Sequence, residues 1–184
     1  MIPTMLIVGD SFAADNHGWP SQLGFDVTNR SQRGVGAYKI LKQAEDHAEY
    51  DRVLIVHTSP WRVHTPYHPI HNGSEHRSHN DFMMADVEHH AHHNQDMARV
   101  HEYLSQYYDA DYQQWIWNSA VDQLMQIDSA VHCTFHDPED TQRIPHNYNH
   151  LWQQHPGDVN HLDTEGNALV AQMFTAEVKR RGWL

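Results

Sequence analysis

The chain has 184 residues, with Lys plus Arg 12 against Asp plus Glu 24 and a formal net charge of −12 when its 19 histidines are neutral. That length suits one domain able to bury a core without staples, and Cys133, the single cysteine, excludes a disulfide framework and any multi-cysteine zinc or iron–sulfur site. The acidic balance argues against a nucleic-acid surface, which needs a surplus of Lys and Arg, and no stretch approaches the ~20 apolar residues of a membrane span.

Met5-Leu6-Ile7-Val8 is a short apolar run that stops at Gly9-Asp10-Ser11, the pattern of a strand buried in a parallel sheet. Met1 to Val8 is too short for a signal-peptide core and has no basic leader, so a cytoplasmic setting is expected. Phe25 to Asn29 is a weaker candidate strand. Gly34-Val35-Gly36 breaks the chain, and Ala37, Ile40, Leu41, Ala44 and Ala48 predict a helix over 37–49. Val53 to Val56 and Ala130 to Phe135 are the next strands. Between them, Met97, Val100, Leu104 and Tyr107 share one helical face, and Ile116, Ala120, Leu124 and Ile127 share another. Leu169, Met173 and Ala176, with Val170, Phe174 and Val178 beside them, predict a last helix from about Thr164 to Arg180. It closes on Lys179-Arg180-Arg181, which suits the helix dipole. This alternation predicts an α/β fold with a mostly parallel sheet, a single domain over 1–184, and an insertion at about 62–128. In such sheets, sites lie at the carboxyl ends of strands, here Gly9-Asp10-Ser11, 30–36 and 57–62.

Ser11 stands directly after a buried strand, where its hydroxyl can face a crevice. A helix beginning near it would aim free backbone N–H groups at a developing oxyanion. A strand-end Asp or Ser is also a common helix N-cap, and the motif alone favours that plainer role. Asp158-Val159-Asn160-His161, just ahead of the last helix, shifts the balance. His161 can act as a base and Asp158 as the carboxylate that orients it, although such a spacing arises easily among so many histidines.

Together these blocks resemble the GDSL/SGNH hydrolase superfamily. Gly9-Asp10-Ser11-Phe12-Ala13 matches its first block and Asp158-x-x-His161 its last. Asn29 to Gly34 resembles the second, whose glycine supplies a backbone donor to the oxyanion hole. Gly34 is the better match and Gly36 the alternative. The resemblance implies a flavodoxin-like three-layer α/β/α sandwich and acyl transfer through an acyl-enzyme. Ser11 is then the nucleophile, His161 the base and Asp158 its orienting acid. The Ser11 and Gly34 N–H groups bind the oxyanion, and Asp10 braces the loop. The third block departs from the family pattern. In place of Gly-x-Asn-Asp after the third strand stands His57-Thr58-Ser59-Pro60, which puts Ser59 in the asparagine slot as the expected third donor.

Trp61 and Arg62 follow at the same crevice. Trp61 could stack on a sugar or acyl group and Arg62 could bind a substrate carboxylate or phosphate. Equally, Trp61 could pack beneath the insertion and Arg62 could pair with a surface acid. The implied activity is hydrolysis of a small ester, such as an O-acetyl group on a carbohydrate, with no cofactor. An acyltransferase using the same triad is one alternative. A catalytically weak domain that binds a carbohydrate or a protein is another. A flavodoxin-like cofactor binder is disfavoured, because the first loop has no phosphate cradle beyond Ser11.

His64, His68, His71, His76 and His79 lie in the insertion, and His89-His90-Ala91-His92-His93 follows. His89 with His92 or His93, and His90 with His93, have chelating helical spacing. Without a carboxylate–histidine motif such as H-E-x-x-H, the segment reads as a solvated polar face and no functional metal is expected. Tyr103, Tyr107, Tyr108, Tyr112, Trp115 and Trp117 exceed what one exposed helix carries. They are expected to pack on the sheet or on a second subunit, with the insertion serving as a lid or a homo-oligomer contact.

Overall fold

The apolar runs become the middle of a parallel sheet. The structure, a computed structural model, describes residues 3–15, 17–71, 80–157 and 161–183. In chain order the strands are β1 (Thr4–Gly9), β2 (Asp26–Asn29), β3 (Arg52–His57), the short β4 (Arg62–Val63) and β5 (Phe82–Met83), β6 (Ala130–Thr134) and β7 (His146–Asn147). Five of them form one all-parallel sheet in the order β2-β1-β3-β6-β7, while β4 and β5 pair antiparallel as a separate ribbon. The helices are α1 (Ala37–Gln43), α2 (Met84–Ala91), α3 (Gln95–Tyr107), α4 (Ala110–Leu124), α5 (Asn149–Gln154) and α6 (Thr164–Arg180).

Helices cover both faces of the sheet. Leu6, Val8, Val53 and Ile55 pack against Ile40 of α1 and Leu124 of α4. Met5, Ile7, Leu54 and Val56 point the other way and meet Trp19 with Val170, Phe174 and Val178 of α6. Each such aliphatic side chain contributes roughly 1.5–3 kcal/mol when fully buried. The architecture is α/β, a three-layer sandwich with the flavodoxin-like arrangement. Among the described residues no helix is long and apolar enough to cross a membrane.

The predicted last helix has its observed limits, and Asp163 caps it by accepting the Gly166 N–H at 2.7 Å. The helix predicted over 37–49 ends earlier, at Gln43, and a short 3-10 turn covers His47–Glu49. The stretch 62–128 is not wholly an addition. Parallel strands β3 and β6 need a helical crossover, and α4 supplies it by packing Trp117, Ala120 and Val121 against Ala37 of α1. The added module is the β4–β5 ribbon with α2 and α3, built around Val87, Met97 and Leu104. Of the aromatic group, Trp117 is buried and donates from Nε1 to Thr58 O at 2.8 Å. Trp117 packs with Ala37, Val121 and Ile144, while Tyr103, Tyr107, Tyr112 and Trp115 remain 60–67 % exposed and do not pack on the sheet. Tyr112 and Trp115 lie on the face of α4 turned away from α1, and Tyr103 and Tyr107 lie on α3, whose buried residues are Met97 and Leu104.

Candidate active site

The first strand ends on a position that only glycine fits. A Cβ at Gly9 would lie 2.6 Å from the Val56 Cβ on the neighbouring strand, and the Gly9 N–H donates to Gln43 Oε1 at 2.8 Å. The chain then turns rather than entering the helix expected at Ser11. Asp10 Oδ1 accepts the Phe12 N–H at 3.1 Å, a local bond that competes with helix formation. Asp10 is fully buried, and its Oδ2 meets His136 Nε2 at 2.6 Å just beyond β6. Burial alone raises the Asp10 carboxyl. The charge and hydrogen bond of His136, with Arg62 and the Phe12 N–H, outweigh it and hold the group below its ordinary value. Asp10 therefore braces the loop as a carboxylate. Among the described residues nothing accepts the Ser11 N–H.

The second loop is strapped to the first. Gln32 N donates to Gly9 O at 3.0 Å, and Asn29 Nδ2 donates to Ala13 O at 2.7 Å. Gly34 has φ +72, a conformation that favours glycine, and a Cβ there would lie 2.5 Å from the Asn80 Cγ. The Asn80 carboxamide thus rests on the Gly34 backbone. Its neighbour Asp81 locks the arrangement, because Asp81 N donates to Gly34 O at 2.6 Å and Asp81 Oδ2 accepts Gly36 N at 2.7 Å. The buried Asp81 carboxylate also receives Lys39 Nζ at 2.7 Å and Thr65 N at 2.9 Å. The Gly34 N–H has no acceptor among the described residues, and Asn80 Oδ1 is buried without a hydrogen-bond partner.

Asn80 is not among the residues expected at this site, because the family pattern puts an Asn-Asp pair directly after β3. The chain instead brings Asn80-Asp81 to the glycine loop from the far end of the added segment, just before β5. The dipeptide itself was the available signal. Ser59, expected in that role, lines a narrow cavity with Gly36, Asp81, Gln113 and Trp117, and no hydrogen bond fixes its hydroxyl among the described residues. Trp61 is partly exposed and donates from Nε1 to Asp140 Oδ2 at 2.8 Å. Arg62 donates from Nε to Thr58 Oγ1 at 3.2 Å, and its charge reaches Asp10 rather than a surface acid.

His161 lies next to the Pro156–Leu162 bridge, and its carbonyl accepts Gly157 N at 2.6 Å. Its ring lies edge-on to Phe12, centroids 6.2 Å apart. Burial, reinforced by the charge of Arg33, pushes this imidazole below its ordinary value against the opposing pull of Asp10 and Asp15. Asp10 and Arg33 adjoin Ser11 and Gly34 in the chain, and Phe12, next to Ser11, is the residue against which the His161 ring lies. No hydrogen bond joins Ser11 to His161 among the described residues, and Asp158 lies outside them. One group of three metal-ligating side chains occurs among the described residues. It is His68, His71 and Asp86, in the added module and not at these loops. The arrangement at the loops offers unpaired N–H donors, a packed carboxamide, a half-buried serine and an imidazole held below its ordinary value. No protein-family model, curated protein or solved structure matches this chain.

Proposed function

We propose that the protein is a GDSL/SGNH-type serine hydrolase that cleaves a small ester, with an O-acetylated carbohydrate as the substrate class. The observation that carries this reading is that the N–H groups of Ser11 and Gly34, on loops strapped together by Gln32 N and Gly9 O, both lack an acceptor among the described residues, with the Asn80 carboxamide seated on Gly34. Three donors around one point are what an oxyanion demands. In this mechanism Ser11 Oγ attacks the ester carbonyl carbon and gives its proton to His161. The carbonyl electrons move onto the oxygen, which the three donors hold. The tetrahedral intermediate collapses, the alcohol leaves with the proton from His161, and water, activated by the same imidazole, releases the acid. Asp158 orients His161 in this scheme. Asn80 takes the place that Ser59 was expected to fill.

A fluorophosphonate probe followed by intact mass and peptide mapping tests the reading. A single adduct on Ser11, absent from Ser11→Ala, is the expected result. An unlabelled Ser11 in folded protein overturns it and favours the binding-module alternative. The Asp10–His136 pair supports a second assignment, in which His136 serves as the base from the other side of Phe12. His161→Asn abolishing labelling while His136→Asn only slows it separates the two.

A further inference from the structure

The added module gathers imidazoles around one carboxylate. His68 and His71 come from the loop after β4, and Asp86 and His90 lie one turn apart on α2. His68 Nε2 is 3.4 Å and His71 Nε2 is 3.6 Å from Asp86 Oδ2, and His90 Nε2 is 3.3 Å from Asp86 Oδ1. Charge-assisted hydrogen bonds are shorter, at about 2.7–2.9 Å. The observed separations instead approach the ligand–ligand edge of a tetrahedral site, which is about 3.3–3.4 Å for metal bonds of about 2.0–2.1 Å. The ligand atoms of His68, His71 and Asp86 all lie within 4.8 Å of one another.

The burial of His68 is the second observation. It is 1 % exposed, and its buried Nε2 has no well-formed hydrogen bond, only the long 3.4 Å approach to Asp86 Oδ2. A buried polar nitrogen with so long a contact is poorly compensated, and a cation shared between it and the carboxylate removes that cost. We infer that His68, His71 and Asp86, with His90 next in line for the fourth position, form a binding site for a divalent metal of the zinc class. Imidazole and carboxylate without thiolate suit zinc, nickel or copper rather than magnesium or calcium. A metal on Nε2 places the ring proton on Nδ1. That atom then gives up the N–H groups of Ile70 and His71, which it accepts at 3.3 and 3.2 Å. Both contacts are long and belong to one short turn, so coordination requires only a small adjustment of that turn.

The ligands bracket the chain segment that carries Asn80 and Asp81. His71 precedes it and Asp86 follows it. A bound metal therefore ties the loop after β4 to α2, the helix that follows the Asn-Asp pair at Gly34 and Gly36. Its role is structural, and the inference stands independently of the hydrolase reading.

Equilibrium dialysis of the full chain against Zn²⁺, after stripping with a chelator, tests it together with thermal unfolding. One Zn²⁺ per chain is expected to bind and to raise Tm. Asp86→Asn and His71→Ala should each weaken that binding at least tenfold. The double change His92→Ala with His93→Ala should leave it within twofold, because those side chains lie outside the cluster. Circular dichroism of the metal-free variants checks folding, and the partly exposed His71 carries the test if Asp86→Asn does not fold. Co²⁺ in place of zinc should give the intense visible bands of four-coordinate cobalt. Zinc binding that survives Asp86→Asn and His71→Ala, or that the His92 and His93 changes remove, overturns the site and identifies an adventitious ion only. Failure to retain zinc overturns it equally.

Discussion

The sandwich and the added module are held together by different means. In the sandwich, β1 and β3 are buried on both faces, and their aliphatic side chains interlock with Ile40, Leu124, Val170 and Phe174. In the module, three buried apolar residues, Val87, Met97 and Leu104, form a small core. Only partly buried side chains such as Val63, Phe82 and Val100 pack around them, and polar cross-links through the Asp81 carboxylate and the imidazoles around Asp86 add to that packing. Apolar burial is insensitive to protonation and to metals, whereas polar cross-links are not. The candidate site lies where the regions meet, with Ser11 and Gly34 carried by the sandwich and Asn80 delivered by the module.

The sharpest way to break this comparison is through the cores. Phe174→Ala should lower global stability by about 3–5 kcal/mol, because it opens a cavity in the layer between sheet and α6. Leu104→Ala should act locally instead. Hydrogen exchange should show α2 and α3 opening at a lower free energy while β1 and β3 stay protected. Equal loss of protection across both regions would show one cooperative unit.

The next largest effect concerns the seam. Asn80→Ala should lower kcat by roughly 10²- to 10³-fold on an activated short-chain ester, as loss of one oxyanion donor does, with little change in KM. Ser59→Ala should leave kcat within a few-fold. A reversal of these outcomes in folded variants would return the third donor to Ser59.

Acid should sharpen the contrast from the other side. His57 and His132 are neutral imidazoles buried in the sandwich, with His57 Nε2 and His132 Nδ1 3.0 Å apart. Burial, with the charges of Arg181 and His146, pushes His132 down to about 4, and burial beside His132 pushes His57 well below its ordinary value. The unfolded chain takes up these protons near pH ~6.5 and the folded chain resists them, so stability is greatest above that pH. It should fall as the pH drops from about 6.5 toward 4, by roughly 3 kcal/mol for His132 alone. Urea titrations at successive pH values check this, and His132→Gln should flatten the dependence.

The smallest effect is on the activity profile. Burial and Arg33 lower the His161 value, so the imidazole stays neutral and active to below its ordinary range. The acid limb of kcat/KM should therefore lie below pH ~6.5. Arg33→Gln should shift that limb upward, since removing the cation favours the protonated ring. A limb that does not move would argue that burial alone sets the value.

Local chemistry determined a good deal from the sequence alone. Continuous apolar runs can be buried only between two helical layers, so the strands at 5–8 and 53–56 and the α/β class were legible. A 3.6-residue apolar period with a basic end set the last helix at Thr164–Arg180, and the structure adds its Asp163 cap. Ser11 and His161 were visible as candidates because a strand end and a helix approach mark where side chains can meet. Only the tertiary structure decided which distant residues share a point. Asn80 reaches Gly34 from far along the chain, a pairing that no local pattern encodes. His68, His71, Asp86 and His90 were overlooked because chelating pairs were sought within one helix, while the cluster joins a loop to α2. The same cause left Tyr103, Tyr107, Tyr112 and Trp115 exposed, since residue type fixes how much a side chain gains from burial and only the fold decides whether a surface is there to receive it.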